Sequence, residues 1–315
     1  MSDLSANRPV ILVTGADLAP QAVALLDGFD LVYAGKTPTE DDIAALCEQH
    51  QPVAIIVRYG RITRRIIDTC RNLKVISKHG TGIDTIDSQA AAERGIAVKA
   101  AAGANAAAVA EHTWALIFAC AKSVVALDKR MHEGHWDKST HKSIELKGRT
   151  LGLVGLGAIG ARAAQVGVVL GMNVVAYDPF AKTAPDGVAM VDLDTVIHTA
   201  DVLSLHCPLT ADNKHMINQQ SLARMKDGAI LVNTARGGLI DELALVTALK
   251  SGKLYAAGLD SFEKEPLAAP HLFQGLANIV LSPHIGGVTN DAVIGMGTGA
   301  ANNILAVLND QTVAA

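Results

Sequence analysis

The stretch Thr150-Leu-Gly-Leu-Val-Gly-Leu-Gly-Ala-Ile-Gly160 decides the fold of this chain. Its apolar first part is typical of a strand that is buried on both faces of a parallel sheet. Gly155, Gly157 and Gly160 follow in G-x-G-x-x-G spacing, and the run from Ala161 to Leu170 favours a helix. A strand, a glycine turn and a helix in this order are the pattern that binds the pyrophosphate of a dinucleotide.

Each glycine of the turn 155–160, called the glycine turn below, has a separate role. Gly155 allows the tight turn, Gly157 lets the backbone approach a pyrophosphate, and Gly160 lets the helix pack closely on the strand. The N–H groups and the positive dipole end of that helix would then face the phosphates. A lone G-x-G-x-x-G also fits an ordinary glycine-rich turn, so the assignment needs further support.

Asp178 supplies this support. A second apolar run, Asn173 to Tyr177, ends on Asp178, which lies 18 residues after Gly160. This is near the spacing expected for the acid that holds an adenosine ribose. The same carboxylate would repel the 2′-phosphate of NADP, so the sequence predicts NAD as the cofactor.

The composition favours a soluble, two-domain protein. The chain has 315 residues, of which 50% are hydrophobic and 18% charged, and this leaves room for large cores. A net charge of −4 without a long basic run argues against nucleic acid or an anionic membrane as a partner. The four widely spaced cysteines predict reduced thiols and neither a disulfide framework nor a metal site. The polar segment from Met1 to Pro9 has no signal core, and no window is expected to span a membrane. We therefore expect a cytoplasmic protein.

Strand–helix units repeat on both sides of the glycine turn and predict an α/β protein with two doubly wound parallel sheets. A linker precedes a predicted long helix from Ala106 to about Leu127. That helix could bridge domains or pair with a second subunit, and this predicts a homodimer. The final helix, Thr289 to Leu308, follows the nucleotide half and could cross back onto the first domain.

Polar residues of the second half cluster where predicted strands end, which is the edge at which parallel sheets bind ligands. They are Asp178, His206, Thr234, Arg236, Asp260 and His284. Oxidation of a 2-hydroxy acid needs a cation for the carboxylate, a group that titrates near neutrality, and a carboxylate that orients that group. Arg236, His284 and Glu265 can fill these roles. Each of them alone could equally be an ordinary turn residue.

Seven motifs make the chain similar to the D-isomer-specific 2-hydroxyacid dehydrogenases, and most similar to the catalytic part of D-3-phosphoglycerate dehydrogenases. The motifs are Val57-Arg58, His79-Gly-Thr-Gly-Ile-Asp84, Val109-Ala-Glu111, Gly155-Leu-Gly-Ala-Ile-Gly160, Asn233-Thr-Ala-Arg-Gly-Gly238, Leu259-Asp-Ser-Phe-Glu-Lys-Glu-Pro266 and Pro283-His-Ile-Gly-Gly287. The resemblance implies a Rossmann NAD-binding domain, residues 102–285, inserted into a flavodoxin-like substrate domain, residues 1–101 and 286–315.

The resemblance also implies roles for single residues. Arg236 would bind the substrate carboxylate, Glu265 would support the histidine, and His284 would be the general acid/base. The residues expected at the cofactor are Gly155, Gly157, Ala158, Ile159, Gly160, Asp178, His206, Cys207, Pro208, Thr234, Ala235, Asp260, His284 and Gly287. The residues expected at the substrate are Arg58, Tyr59, His79, Gly80, Arg236 and His284.

The chain departs from phosphoglycerate dehydrogenases at the first substrate loop, where Arg58-Tyr59-Gly60 replaces the usual Arg-Ser. The C-terminal regulatory extension of many such enzymes is also expected to be absent. A hydroxypyruvate/glyoxylate reductase or a sulfolactate-type dehydrogenase therefore stays an alternative. A regulator or corepressor that senses NADH on the same fold is the alternative from another class.

Overall fold

The structure is a computed structural model that describes residues 8–313. Most of the polar N-terminal segment considered above, residues 1–7, lies outside this range. The described chain divides into two compact units, a first unit of residues 8–105 with 288–313 and a second unit of residues 106–287. Each unit contains one parallel sheet.

The first unit has a five-stranded sheet in the order β2-β1-β3-β4-β5, and all of its pairs are parallel. This is the strand order of flavodoxin-like folds. Its strands are β1 (Val10–Val13), β2 (Asp30–Tyr33), β3 (Ala54–Val57), β4 (Val75–Lys78) and β5 (Ala97–Ala100). Its helices are α1 (Pro20–Leu25), α2 (Glu40–His50), α3 (Arg64–Thr69), α4 (Ser88–Glu93) and α11 (Asn290–Val313).

Helix α11 comes from the second chain segment and packs on the sheet of the first unit. Ala300, Ala301 and Ile304 are completely buried there in one cluster with Ile11 and Ile56. By length and composition alone, α11 could cross a membrane. The expectation that no window reaches this apolar length is therefore wrong, because alanine, glycine and isoleucine make the helix apolar along most of its length. The buried residues Ala300, Ala301 and Ile304 place one face of α11 in the core of the first unit.

The second unit has a seven-stranded parallel sheet in the order β12-β11-β10-β9-β6-β7-β8. Counted from β6, this is the Rossmann order 3-2-1-4-5-6 with one further strand. Its strands are β6 (Thr150–Val154), β7 (Asn173–Tyr177), β8 (Val188–Met190), β9 (Val202–Leu205), β10 (Ala229–Asn233), β11 (Leu254–Leu259) and β12 (Ile279–Leu281). Its helices are α5 (Ala106–Lys122), α6 (Val124–His132), α7 (Ala158–Val169), α8 (Leu193–Thr199), α9 (Gln219–Arg224) and α10 (Glu242–Lys250), with a 3₁₀ turn at Gly237–Leu239.

The predicted helix from Ala106 to Leu127 is wrong at its end. Helix α5 ends at Lys122, and α6 continues at an angle of 61° to it. Ser123 between them has a φ of +51°, a left-handed conformation that interrupts the helical hydrogen bonds. Helix α5 is held in the core, where the indole N–H of Trp114 donates to the carbonyl of Ala163 at 3.1 Å, whereas no residue of α6 is buried.

Candidate active site

The glycine turn joins β6 to α7. Gly155 has a φ of +99°, and a Cβ added to Gly160 would lie 2.1 Å from the carbonyl oxygen of Gly155. The first turn of α7 therefore rests directly on the backbone of the turn. A Cβ added to Gly157, in contrast, would meet no atom of the described chain within 4 Å. The N-terminus of α7, with Ala158 and Ile159 in its first turn, thus adjoins open space, as a bound pyrophosphate requires.

Asp178 directly follows β7 and lies at the glycine turn. Its Oδ2 accepts a hydrogen bond from the N–H of Leu156 at 2.8 Å, and its Oδ1 accepts from the N–H groups of Phe180 and Ala181 at 2.8 and 3.1 Å. A carboxylate offers about four acceptor positions, so acceptor capacity remains for ribose hydroxyls. The structure brings this acid and the glycines together.

His206, Cys207 and Pro208 follow β9 on the other side of the turn. A Cβ on Gly155 would lie 2.7–2.8 Å from the backbone of His206 and Cys207, so the two loops are in direct contact. Burial lowers the pKa of His206 to about 4, and its Nε2 lies 3.0 Å from the hydroxyl of Ser204. Burial raises the pKa of the Cys207 thiol to about 11. Both side chains are therefore uncharged at neutral pH.

His284 and Glu265 form the central pair of the site. The Nδ1 of His284 lies 2.7 Å from Oε2 of Glu265, whose Oε1 accepts from the N–H of Phe262 at 2.9 Å. Since an ionised carboxylate only accepts hydrogen bonds, Nδ1 carries the proton and Nε2 is the nitrogen that is left for a substrate. The hydrogen bond to Glu265 raises the pKa of His284 above its ordinary value, although burial and the charge of Arg236 oppose the rise.

Glu265 stays ionised. Its partial burial raises its pKa, but the hydrogen bonds from His284 and Phe262 outweigh this effect and leave the pKa of Glu265 below its ordinary value. A negative carboxylate against a histidine with a raised pKa is the electrostatic pattern of an oriented acid/base.

Arg236 lies three residues after the end of β10. Asn233, which is completely buried, fixes its loop, because the Asn233 side chain accepts from the N–H of Ala235 at 3.0 Å and donates to the carbonyl of Arg236 at 2.8 Å. The positive charge of Arg236 acts on the pKa values of both Glu265 and His284.

A backbone contact brings the loop of Arg236 to the loop of Glu265. A Cβ added to Gly237 would lie 1.8 Å from the carbonyl carbon of Phe262, so the two backbones touch with no side chain between them. The predicted Arg–Glu–His set is therefore brought together within the second unit.

Thr234 and Asp260 are buried beneath this set. The hydroxyl of Thr234 lies 2.8 Å from that of Thr113, and Asp260 is only 2% exposed. Ala235 follows Thr234 in the loop, and Gly287 is the last residue of the unit. All of the residues expected at the cofactor lie in the second unit.

The predicted substrate residues Arg58, Tyr59, His79 and Gly80 follow β3 and β4 of the first unit. The guanidinium of Arg58 donates to both the carboxylate and the backbone carbonyl of Asp17 and lies 5.5 Å from the centre of the Tyr59 ring. Arg58 is thus already paired with an acid, which its position in the sequence does not indicate.

His79 is buried and neutral. Its side chain is shielded so well that burial, and next the charge of Arg58, lower its pKa to about 4. Its Nε2 is buried and has no hydrogen-bond partner among residues 8–313. Gly80 follows it with a φ of +137°, a conformation that favours glycine.

Comparison with known proteins places this arrangement in a family. Residues 114–286 match the family profile described as D-isomer specific 2-hydroxyacid dehydrogenase, NAD binding domain. The chain belongs to this family. Its members are NAD-dependent oxidoreductases, and the resemblance seen in the seven sequence motifs is confirmed.

Three proteins illustrate the similarity. A hydroxypyruvate reductase of Thermotoga maritima is 45% identical over 76% of this chain and 79% of its own length. A D-3-phosphoglycerate dehydrogenase of Methanocaldococcus jannaschii is 42% identical over 96% of this chain, but the match spans only 58% of that longer relative. The crystal structure of the TT0316 protein from Thermus thermophilus has a TM-score of 0.88 at 36% identity and covers 96% of this chain and 97% of the other.

The second unit fits NAD, the cofactor of the family. The open space at Gly157 leaves room for phosphates beside the backbone N–H groups of α7. The carboxylate of Asp178 stands where an adenosine ribose would be held, and no basic residue directly follows it to receive a 2′-phosphate. The neutral His206 and Cys207 add no charge to this part of the site.

Two residues at the site are not anticipated from sequence. His112 on α5 lies 2.8 Å from the hydroxyl of Ser282, which in turn donates to Asp260 at 2.6 Å. The neighbours of His112 in the sequence are helix formers, and Ser282 is 170 residues away. Only its position next to the Val109-Ala-Glu111 motif singles it out.

Proposed function

We propose that this protein catalyses the reversible, NAD-dependent reduction of a small 2-keto acid to the (R)-2-hydroxy acid. The observation that carries the proposal is the 2.7 Å contact between His284 and Glu265 beside Arg236 in an NAD-binding unit. A raised pKa increases the protonated share of His284 near neutral pH, and the protonated imidazole can deliver its proton to a carbonyl oxygen.

In the proposed mechanism each residue of the set has one task. The guanidinium of Arg236 binds the substrate carboxylate in two-pronged fashion and stabilises negative charge at the carbonyl oxygen. His284 donates the Nε2 proton to that oxygen during reduction and takes it back during oxidation. Glu265 keeps the ring in the Nδ1–H orientation and stabilises its positive charge. The hydride for C2 of the keto acid would come from NADH when it is bound at the glycine turn and Asp178.

The test is the decay of NADH absorbance with glyoxylate, hydroxypyruvate, phosphohydroxypyruvate, sulfopyruvate and pyruvate. We expect turnover of at least one of these acids. We also expect that His284→Ala binds NADH normally and loses turnover by at least about a hundredfold. Near-normal turnover of that variant would remove His284 from its role. Tight NADH binding without turnover on any acid would instead favour the NADH-sensing regulator.

We further propose that the first unit is the substrate domain and that Arg58 and His79 recognise the part of the keto acid on the side of the carbonyl away from the carboxylate. One observation favours an unphosphorylated acid such as hydroxypyruvate or glyoxylate. Arg58 is only 13% exposed at its side chain and is already neutralised by Asp17, so it offers little net charge to a phosphate. The similarity to a hydroxypyruvate reductase over most of its length supports the same choice.

Asp17→Asn tests this choice. We expect the wild-type protein to prefer hydroxypyruvate over phosphohydroxypyruvate in kcat/KM. The variant, in which Arg58 is no longer paired with an acid, should shift the ratio toward the phosphorylated acid by about tenfold. Asp27→Asn, which removes a carboxylate that is 99% exposed, is the control for surface charge. A wild-type preference for the phosphorylated acid would refute the choice and leave the dehydrogenase activity standing.

We propose a homodimer in the cytoplasm. Support for the dimer comes from α6 and the loop after it, where Val124, Val125, Met131 and Trp136 are all more than half exposed. Apolar side chains grouped in this way are typical of protein interfaces. Light scattering should give twice the chain mass of 32.8 kDa, and a replacement of Trp136 by Ser should lower that mass. The buried thiols of Cys47, Cys70 and Cys120 are typical of a reducing compartment, and cell fractionation tests this location.

A further inference from the structure

A buried carboxylate holds the turn that carries His284. Asp260 follows β11 and is 2% exposed. Its Oδ1 accepts from the N–H of Ile285 at 2.9 Å and its Oδ2 from the N–H of Gly286 at 2.8 Å. His284 lies between the end of β12 and the two residues that donate to Asp260. Its φ is +54°, which is unfavourable for a residue other than glycine. The two hydrogen bonds to Asp260 keep His284 in this conformation.

A second layer of side chains holds Asp260 itself. The hydroxyl of Ser282 donates a hydrogen bond to Oδ1 of Asp260 at 2.6 Å. The oxygen of Ser282 is then available as an acceptor for the Nε2–H of His112, which lies 2.8 Å away. The same Nε2 is 3.3 Å from Oδ1 of Asp260. The hydrogen bonds thus run in one direction, from the imidazole to the hydroxyl to the carboxylate.

His112 also packs against the turn. A Cβ added to Gly286 would lie 3.3 Å from Cδ2 of His112 and 2.9 Å from Oδ2 of Asp260. The turn therefore fits against the imidazole and the carboxylate with no space for a side chain. His112 lies on α5, whose neighbours Thr113 and Trp114 are buried in the core, so its position is rigid. The proposed mechanism itself has no task for this histidine.

We propose that His112 and Ser282 are positioning residues, which fix Asp260 and through it the direction in which His284 presents its imidazole to Glu265 and the substrate. This inference rests on the proposed function of His284. Loss of either residue should allow the turn to relax and lengthen the His284–Glu265 contact. A small displacement of this kind lowers the rate of a reaction much more than it weakens binding.

The test compares matched pairs of variants. His112→Ala and Ser282→Ala remove one member of the chain, whereas His112→Gln and Ser282→Thr keep a donor or a hydroxyl at the same place. His198→Ala, at an exposed position of α8, is the control for loss of a histidine. The first readout is kcat, KM and the pH profile of kcat with the fastest keto acid of the panel. The second readout is the titration of the His284 ring by NMR, which needs no turnover.

We expect kcat to fall at least about tenfold in both alanine variants, with little change in KM or in the NADH Kd. The pKa of His284 in both should move down, and both conservative variants should restore most of the rate. The double alanine variant should be no slower than the slower single one, because the residues act in one chain. If His112→Ala does not fold, Ser282→Ala decides on the same readouts. An unchanged pH profile and an unchanged His284 titration in Ser282→Ala would overturn the proposal. If the wild-type protein reduces none of the acids, the proposed function fails. The NMR titration of His284 in the variants then decides by itself whether His112 and Ser282 position His284.

Discussion

The glycine turn offers a paired test, since two of its glycines face opposite surroundings. Gly160→Ala places a methyl group 2.1 Å from the Gly155 carbonyl oxygen, whereas real contacts of this kind are longer than 3.0 Å. Helix α7 must then move by about 1 Å relative to the turn. An overlap this close belongs to the upper part of the usual overpacking cost of about 1–3 kcal/mol, at about 2–3 kcal/mol, and the better helix propensity of alanine offsets about 1 kcal/mol of it.

Gly157→Ala is the matched variant with the opposite expectation. No atom of the residues that the structure describes lies within 4 Å of the added methyl group, and Gly157 has a φ of −71°, which alanine adopts readily. The free energy of unfolding should therefore change by less than about 0.5 kcal/mol. A pyrophosphate that approaches this backbone would overlap with the methyl group. If the overlap costs about 1–3 kcal/mol of binding free energy, the Kd of NADH rises about 5- to 150-fold.

Two measurements separate the variants. Urea unfolding should show a loss of about 1–2 kcal/mol for Gly160→Ala and none for Gly157→Ala. NADH fluorescence titration should show weaker binding for both variants. Only Gly157→Ala should combine this weaker binding with wild-type stability. An unchanged NADH Kd in Gly157→Ala would refute the reasoning that the phosphates approach here, and wild-type stability in Gly160→Ala would refute the packing argument.

Three further predictions concern charge. Glu265 raises the pKa of His284, so in Glu265→Gln the rate of keto acid reduction should begin to fall at a lower pH than in the wild-type protein. An alkaline limb of the kcat profile at the wild-type pH would contradict this. His79 has a pKa of about 4 in the folded protein, against 6.5 unfolded, so stability should fall as the pH drops from 6.5 to 4. In urea unfolding, His79→Gln should lose on the order of 3 kcal/mol less free energy of unfolding over this pH range than the wild-type protein. An equal loss of stability in the variant and the wild-type protein would argue against a neutral His79. Asp178→Asn should raise kcat/KM with NADPH relative to NADH by at least about tenfold, and an unchanged ratio would count against the ribose assignment.

The parts of the fold that the sequence predicts are those with a strong local signal. The run before Gly155 and the acid at Asp178 predict β6, α7 and β7, because buried parallel strands are continuous apolar runs. The helix break at Ser123 is not predictable in this way, because a left-handed φ at one residue does not change the spacing of apolar residues along the sequence. Strand β8 escapes notice because it has only three residues and two of them are exposed.

The same distinction applies to the candidate site. Arg236, Glu265 and His284 are recognisable because each lies in a motif at a strand end. The pairing of Arg58 with Asp17 is not recognisable, because the partners are 41 residues apart and no sequence pattern connects the loop after β1 with the loop after β3. His112 is hidden for a similar reason, since a polar residue in a long helix has no apparent partner until the fold supplies Ser282.

The backbone contact at Gly237 limits how this protein can change. With 1.8 Å between an added Cβ and the carbonyl carbon of Phe262, every other residue at this position would push the Arg236 loop away from the Glu265 loop. A directed-evolution library that varies Gly237 should therefore yield inactive members only. Under the proposed assignment of the first unit to the substrate, libraries at Tyr59, which is 51% exposed, should alter which acid is accepted and leave the contact at Gly237 intact. The position of Gly237 in the second unit therefore tolerates no substitution, whereas the position of Tyr59 in the first unit can be varied. A search for a new substrate preference should start in the first unit.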